Sequence, residues 1–233
     1  MSESLPVVLI PGLLLSARMY AQQVEVLWPK SAVMLANHTR DDSMAALARR
    51  VLAEAPARFA LVGLSMGGYI SFEILRQAPQ RVARVALLDT MARPDTPDVS
   101  AARRVQMQLA TRGPFASVVS GLIPRLVHHS RQEDPDLARL ILRMGEEVGV
   151  AAYLRQQTAN IGRIDSRPTL KDIRCPTLVL VGDSDQLTPP ERAAEIADGI
   201  QGAELVVVPE CGHLSTLERP AAVNAALRAW LER

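Results

Sequence analysis

Short apolar runs that alternate with amphipathic segments constrain the fold of this chain more than any other feature. The runs are rich in valine, leucine and alanine, which is typical of strands buried on both faces of a parallel sheet. Six strands are predicted: Leu5–Ile10, Ala32–Ala36, Phe59–Leu64, Val82–Leu88, Thr177–Val181 and Glu204–Val208. Apolar residues at three-to-four spacing predict five helices among them: Ala17–Leu27, Ser43–Ala53, Met66–Ala78, Pro190–Ile200 and Pro220–Leu231. Right-handed crossovers then give an α/β fold, an open and mostly parallel sheet of about six strands with helices on both faces.

The interval from residue 94 to residue 167 breaks this alternation. It contains no convincing strand but four amphipathic stretches, which are Val99–Ala110, Phe115–Val127, Pro135–Val148 and Val150–Ile161. Insertions in open sheets commonly leave at the carboxyl ends of strands, where ligands also bind, so a helical lid over a site is expected. We therefore divide the chain into a core of residues 1–93 and 168–233 and a lid of residues 94–167. The alternative is a helical extension that only adds stability or a dimer surface.

Charge and cysteine content argue against several classes of partner. With 26 basic and 25 acidic residues, the net charge of +1 gives no overall attraction to nucleic acid or to an anionic membrane, and neither partner is expected. The opening stretch starts acidic and is interrupted by Pro11 and Gly12, so it is interpreted as strand and loop without a signal peptide. Cys175 and Cys211 are too few for a disulfide framework and lack the spacing of a metal site. A soluble protein of the cytoplasm is the expectation.

The pentapeptide GLSMG, residues 63–67, lies where a predicted strand gives way to a predicted helix. That context makes a Gly-x-Ser-x-Gly pattern informative about catalysis. A turn this tight strains the backbone at Ser65, and Gly63, Gly67 and Gly68 remove side chains that would collide with neighbouring elements. The hydroxyl of Ser65 is then presented at the carboxyl edge of the sheet as a candidate nucleophile. The alternative is that Ser65 merely caps the following helix.

A serine hydroxyl is a poor nucleophile at neutral pH and needs a base within hydrogen-bonding reach. His213 follows the last predicted strand and precedes the last helix, so its loop lies at the same edge as Ser65. His38 follows the second strand and is a weaker rival. His128 and His129 lie in the insertion and are interpreted as solvated or packing residues.

Three aspartates follow strands and are candidates for orienting the base. Asp183 and Asp185 come directly after the fifth predicted strand, and Asp89 comes after the fourth. All three can approach the edge that holds His213. Asp183 is equally suited to a turn in which it bonds its own backbone, and Asp89 is equally suited to closing a strand end.

Four segments carry a family resemblance: VVLIPGLLLSARMY, LVGLSMGG, CPTLVLVGDSDQLTPP and GHLSTLERPAAV. Through them nearly the whole chain resembles the α/β-hydrolase superfamily, in its branch of small lidded serine esterases, with the family's order of Ser, Asp and His. The resemblance implies that Ser65 is the nucleophile and His213 the base. It implies that Asp185 is the acid, because Gly182, Asp185 and Pro189 reproduce the family's spacing.

The same resemblance implies an oxyanion hole made of two backbone N–H groups. One belongs to Met66, directly after the nucleophile, and the other to Leu13, in the loop after the first strand. This chain departs from the family in having Pro11 where histidine is usual. It also lacks two strands that often precede the oxyanion loop, so the sheet is expected to be short at that edge.

These roles predict hydrolysis of the carboxylic ester of a small molecule through an acyl-enzyme, with water as second substrate and no metal or organic cofactor. Serine at the nucleophile position disfavours dehalogenase and epoxide hydrolase chemistry, for which the family uses aspartate. Relatives with the same triad act on thioesters, lactones, amides, carbon–carbon bonds or hydrogen peroxide, and a ligand receptor of this fold is a further alternative. The insertion carries ten arginines against eight acidic residues, which favours an anionic substrate or simply a solvated surface.

Overall fold

The computed structural model describes residues 5–233, and all six strands of the described chain belong to one parallel sheet. The strands are β1 (Val7–Ile10), β2 (Val33–Leu35), β3 (Phe59–Leu64), β4 (Val82–Leu88), β5 (Thr177–Gly182) and β6 (Glu204–Val208). Their order across the sheet is β2-β1-β3-β4-β5-β6. Leu9 lies between Leu35 of β2 and Val62 of β3, which fixes the register at this side of the sheet. The open parallel sheet predicted from the sequence is confirmed.

Helices α1 to α11 connect and cover these strands. Their bounds are α1 (Ala21–Leu27), α2 (Met44–Glu54), α3 (Met66–Gln77), α4 (Pro97–Arg112), α5 (Phe115–Ser120), α6 (Ile123–Leu126), α7 (Pro135–Ile161), α8 (Arg167–Leu170), α9 (Pro190–Gly199), α10 (Ser215–Glu218) and α11 (Pro220–Leu231). A 3₁₀ turn at Ala17–Tyr20 begins the first predicted helix. Ser43 caps α2 by accepting from the N–H of Ala46, and prolines open α9 and α11, where a missing N–H breaks no helical bond.

Alternate residues of the strands face two separate hydrophobic layers, so helices cover both sides of the sheet. On one side the strand side chains pack with Leu27 of α1 and with Leu227 and Trp230 of α11. On the other side they pack with helices α2, α3 and α9, through Leu47, Ile70 and Ile196. The central strand β3 is buried along its whole length. This burial on both faces explains why its sequence is apolar throughout and does not alternate.

The insertion, residues 94–167, lies between β4 and β5 and is helical, with α4 to α7 and the start of α8. The amphipathic stretch Phe115–Val127 is divided between two helices, because α5 ends at Ser120 and α6 begins only at Ile123, with Gly121 between them. The break predicted between Val148 and Val150 is present, since Gly149 adopts φ 73° and ψ 163° inside α7. That backbone region is open essentially only to glycine.

No helix in the part of the chain that the structure describes is both long enough and apolar enough to cross a lipid bilayer. The first four residues of the stretch interpreted as lacking a signal peptide, 1–4, lie outside the described residues.

Candidate active site

The turn at Ser65 places one hydroxyl at the carboxyl end of β3, directly before helix α3. Ser65 has φ 54° and ψ −113°, a strained conformation for a residue with a side chain. The turn closes because Gly67 lies against the backbone of β1, where an added Cβ would fall 2.1 Å from the carbonyl oxygen of Ile10. At Gly63 an added Cβ would fall 2.4 Å from the carbonyl oxygen of Gly67. The two glycines are therefore a steric requirement of the turn, as the sequence predicts.

Ser65, His213 and Asp185 form one chain of hydrogen bonds. The Oγ of Ser65 lies 2.9 Å from Nε2 of His213, and Nδ1 of His213 lies 2.7 Å from Oδ2 of Asp185. His213 and Asp185 are each 3% exposed, so water competes little for these bonds. The structure thus brings together the three side chains that the family resemblance singles out, from loops after β3, β5 and β6.

The carboxylate of Asp185 is held in place by its own loop. Its Oδ1 accepts from the N–H groups of Leu187 (2.8 Å) and Thr188 (2.9 Å), and its Oδ2 accepts from the Thr188 hydroxyl (2.7 Å). The Thr188 hydroxyl also lies 3.3 Å from Nδ1 of His213. Sequence reasoning missed Thr188. The signal that could have found it is Asp185 in a loop, because an aspartate there commonly accepts from backbone N–H groups two and three residues later, in an Asx-turn.

The electrostatics of the pair favour a charged Asp185 and a basic His213. Burial alone would raise the pKa of Asp185, but the charge of His213 and the hydrogen bonds to Asp185 outweigh it and hold this pKa below its ordinary value. Burial alone would lower the pKa of His213. The carboxylate of Asp185, helped by Asp89 and Glu218, outweighs burial and raises the pKa of His213 above its ordinary value.

The loop that carries His213 is fixed by Glu218, which sequence reasoning also missed. The Oε1 of Glu218 accepts from the N–H groups of Gly212 (3.0 Å) and Leu214 (3.3 Å), which flank the histidine. Its Oε2 accepts from the N–H of His128 at 2.7 Å, which ties the insertion to the same loop. One buried carboxylate therefore sets the path of the backbone on both sides of His213.

The rival histidines point elsewhere. His38 is buried, with Nε2 at 2.9 Å from the carbonyl oxygen of Gly12 and at 3.1 Å from Nε2 of Gln156. Burial lowers the pKa of His38 to about 4, so its ring is neutral. His128 bonds the hydroxyl of Ser130 and stacks on His129, at 4.0 Å between ring centroids.

The rival aspartates hold backbone instead of His213. Asp89 accepts from the N–H of Gly182 at 3.2 Å and from the N–H and hydroxyl of Ser215, so it joins the ends of β4 and β5 to α10. Burial, reinforced by the charge of Asp185, raises the pKa of Asp89. Asp183 accepts from the N–H groups of Glu210 and Cys211.

Two backbone N–H groups beside Ser65 have no acceptor within residues 5–233. They belong to Met66, the first residue of α3, and to Leu13 in the loop after β1. The next residue in that loop, Leu14, is strained at φ 64° and donates its N–H to Oε1 of Gln156 at 3.2 Å. Sequence reasoning missed Gln156, because no local pattern links two residues so far apart in the chain.

A cavity of about 420 Å³ opens beside Ser65 and His213. Its apolar wall comes from both the core and the insertion, and includes Leu13, Met66, Val119, Leu122, Leu126 and Ile141. A cavity of this size with a nucleophile at its base is typical of small-molecule sites.

A serine, histidine and aspartate joined by hydrogen bonds at the carboxyl edge of an open parallel sheet define a hydrolase of the acyl-transfer type. The chain matches the model of the alpha/beta hydrolase family over residues 7–226 and belongs to that family. The resemblance seen in the sequence is confirmed, and the protein is an enzyme of the hydrolase class.

Among its relatives, a thermophilic esterase from Thermogutta terrifontis, solved with malate bound, is 31% identical, with a TM-score of 0.89 over 99% of this chain and 90% of the esterase. A pimeloyl-[acyl-carrier protein] methyl ester esterase from Neisseria meningitidis is 26% identical over 88% of this chain and 83% of its own length. A 2-hydroxy-6-oxononadienedioate/2-hydroxy-6-oxononatrienedioate hydrolase from Escherichia coli is 25% identical over 88% of this chain and 74% of its own length.

Proposed function

We propose that the protein hydrolyses the carboxylic ester of a small molecule through an acyl-enzyme on Ser65. The observation that carries this proposal is the unbroken chain of hydrogen bonds from Ser65 through His213 to Asp185, at 2.9 Å and 2.7 Å. Two esterases among the relatives support an ester as the substrate.

In the first step His213 Nε2 takes the proton of the Ser65 hydroxyl while Oγ attacks the ester carbonyl carbon. The carbonyl oxygen becomes an oxyanion, which accepts hydrogen bonds from the N–H groups of Leu13 and Met66. The tetrahedral intermediate collapses, the bond to the alcohol oxygen breaks, and His213 gives its proton to the departing alcohol. Asp185 keeps the imidazole oriented and stabilises its positive charge.

In the second step water replaces the alcohol. His213 removes a proton from water, the resulting oxygen attacks the acyl-enzyme, and the carboxylic acid leaves as Ser65 recovers its proton. His213 and Ser65 carry all the proton transfers of both steps, with water as the second substrate. Expulsion of bulk water from the acyl-enzyme strengthens the interactions with the oxyanion.

We also propose that residues 94–167 act as a lid over this chemistry. The insertion supplies Val119, Leu122 and Ile141 to the lining of the cavity. Its helices α4, α5 and α7 pack against one another, so they are suited to move as one body. The division into a core of residues 1–93 and 168–233 and a lid follows from this role.

The test is hydrolysis of short p-nitrophenyl esters by the protein and by Ser65→Ala. The variant is expected to lose at least about four orders of magnitude in kcat, since the nucleophile is absent. Ser117→Ala, on an exposed turn of α5, is the matched control and should keep full activity. Undiminished turnover in Ser65→Ala with an unchanged melting temperature would overturn the proposal. A parallel screen of thioesters, lactones, amides and β-diketones ranks the ester against the other acyl substrates of such a triad.

A further inference from the structure

The wall of the active-site cavity is rich in cationic side chains. Five arginines line the cavity, and Asp95 is its one acidic lining residue among those the structure describes. Arg93 is neutralised by Glu195 at 2.7 Å, but Arg125 and Arg192 form no ion pair within residues 5–233. Arg125 is exposed and Arg192 is half-buried, so solvent screens both of them, and the buried part of the imbalance lies with Arg103 and Arg163.

The imbalance is sharpest around Asp95, whose side chain is 1% exposed. Its Oδ2 accepts from Nε of Arg103 at 2.7 Å, while its Oδ1 accepts from Nη1 of Arg163. Two guanidinium groups thus share one carboxylate. The cluster carries one positive charge in excess, and the side chain of Arg163 is only 5% exposed.

Arg163 is held rigidly, and one of its nitrogens has no oxygen acceptor among the described residues. Its Nε donates to the carbonyl oxygen of Arg93 (3.1 Å), its Nη1 also donates to that of Asn160 (3.0 Å), and its guanidinium stacks 4.4 Å above the ring centre of Tyr69. For Nη2 the described chain offers only the Met91 sulfur at 3.9 Å. A guanidinium fixed in this way is preorganised to bind a planar anion.

Two further polar groups at this wall lack partners among the described residues. The hydroxyl of Tyr69 makes no hydrogen bond there, and burial raises the pKa of Tyr69, so the phenol stays protonated and donates. Asn160 is 1% exposed, yet its Oδ1 has no hydrogen-bond partner. The side chain of Asn160 lines the same cavity as Tyr69 and Arg163.

These groups lie within reach of the reacting atoms. Tyr69 follows Ser65 by four residues on α3, about 6 Å along a helix axis. Both side chains line the same cavity, as does Arg163. A substrate bound at Ser65 can therefore extend along the cavity and place a second group against Arg163.

We propose that Arg163, Tyr69 and Asn160 form a carboxylate-binding subsite, so that the preferred substrate is an ester that also carries a carboxylate group. The inference rests on the proposed ester hydrolysis and adds the chemical class of the substrate. The carboxylate accepts from Nη2 of Arg163 and from the Tyr69 hydroxyl, and its charge balances the excess positive charge of the cluster around Asp95.

The first test compares matched charged and neutral esters. Monomethyl esters of C4 to C8 dicarboxylic acids are compared with the dimethyl esters of the same chains, and 3-acetoxybenzoate with its methyl ester, so that the charge lies on the acyl side or on the leaving group. In at least one of these two series, the charged ester is expected to have roughly a 10- to 100-fold higher kcat/KM than its neutral partner. This ratio is typical of a charge-assisted hydrogen bond. A neutral ester that is hydrolysed equally well or better in both series overturns the subsite.

The second test assigns the preference to Arg163. Arg163→Gln should remove the 10- to 100-fold preference while kcat/KM for the neutral ester changes by less than about threefold. Tyr69→Phe should lower kcat/KM for the charged ester alone, by a smaller factor. Arg104→Gln is the control, since Arg104 is exposed on α4 and lies outside the cavity lining. A preference that survives both Arg163→Gln and Tyr69→Phe contradicts the assignment.

A binding measurement covers the case in which Arg163→Gln fails to fold, and it separates the subsite from the reaction. Glutarate or adipate should inhibit hydrolysis of p-nitrophenyl acetate competitively and raise the melting temperature of Ser65→Ala, whereas the dimethyl esters, which are themselves substrates of the active protein, should raise the melting temperature of Ser65→Ala by less. If no ester is hydrolysed but the dicarboxylates still stabilise Ser65→Ala, the proposed reaction fails and the subsite stands. If esters are hydrolysed and the dicarboxylates bind no better than their diesters, the subsite fails and the reaction stands.

Discussion

At the scale of single residues, the two buried aspartates of this site differ in what they hold. Asp185 contacts the imidazole of His213 at 2.7 Å, while Asp89 contacts only backbone and Ser215. Both face the same edge of the sheet, so a sequence cannot distinguish them by position along their strands. The distinction comes from the loop after β5, in which Thr188 turns the carboxylate of Asp185 toward His213.

Replacing each aspartate by asparagine should separate the two roles. Asp185→Asn presents an amide to Nδ1 of His213, so the imidazole loses its orientation and its counter-charge, and kcat should fall about 10³- to 10⁴-fold. Asp89→Asn keeps one oxygen as acceptor and should lower kcat by less than about tenfold, with a loss of about 1–2 kcal/mol in unfolding free energy. Steady-state kinetics and urea unfolding of both variants measure these effects. Equal losses of kcat would contradict the assignment of Asp185.

The pH dependence of the reaction follows from His213. The folded-state pKa lies above 6.5, since Asp185 outweighs burial, and only the neutral imidazole is a base. The kcat/KM for a neutral ester should therefore rise with pH, with its midpoint above 6.5. In Asp185→Asn the residual activity should reach its half-maximum at lower pH, because the pKa of His213 then loses the largest effect that opposes burial and keeps only the smaller ones of Asp89 and Glu218. A pH–rate profile of each protein checks this, and a midpoint that stays in place would show that Asp185 does not set the pKa of His213.

At the scale of elements, the elbow between β3 and α3 depends on close backbone packing. Gly67→Ala places a Cβ 2.1 Å from the carbonyl oxygen of Ile10, so β1 and α3 must move apart. We expect a loss of at least about 2 kcal/mol in unfolding free energy. Gly113→Ala is the control, because the nearest atom to its added Cβ is the Leu109 carbonyl oxygen at 3.6 Å, and its stability should change by less than about 0.5 kcal/mol. Urea unfolding compares the two, and similar midpoints would show that the elbow tolerates a side chain.

The elements themselves were largely predictable, because each depends on local patterns. Strands β3, β4 and β6 begin and end at the predicted residues, since continuous apolar runs bounded by polar residues mark buried strands. Strand β1 begins at Val7 instead of Leu5, since Pro6 accepts from the N–H of Ala60 in β3 at 2.8 Å but has no N–H of its own to donate. The amphipathic pattern of Phe115–Val127 does not show the division between α5 and α6, because the apolar spacing continues across Gly121 although the helical backbone does not.

The site was predictable only in part, because only some of its contacts depend on local sequence patterns. The motif segments place Ser65, Asp185 and His213 at one edge of the sheet, where the structure joins them by hydrogen bonds. The contacts of Arg163 with Asp95 and Tyr69 depend on how the insertion packs on the core. No periodicity or motif spacing encodes that packing.

At the scale of the whole molecule, the insertion and the core meet at the loop proposed to hold the oxyanion. Gln156, on α7, is fully buried and its Oε1 accepts from the strained Leu14 N–H, 142 residues away. Its Nε2 lies 3.1 Å from Nε2 of His38, which in turn contacts Gly12 in the same loop. Gln156 of the insertion, directly at Leu14 and through His38 at Gly12, thus contacts both sides of Leu13, so the packing of the insertion is coupled to the position of the proposed oxyanion donor.

Replacing Gln156 by leucine should therefore lower kcat, and should change KM by a smaller factor. The change removes both contacts with little change in volume, so the Leu14 N–H loses its acceptor and the adjacent Leu13 N–H is no longer fixed toward the oxyanion. We expect about a tenfold loss in kcat on a neutral ester, less than the 10²- to 10³-fold loss of an entire oxyanion donor. Gln157→Leu is the matched control, because Gln157 is equally buried but bonds only Tyr153, Gln106 and Arg103 within the insertion. Steady-state kinetics and melting temperatures of both variants give the comparison. Equal kcat values at equal stability would show that the insertion does not position the oxyanion loop, whereas a loss confined to Gln156→Leu ties the packing of the insertion to catalysis.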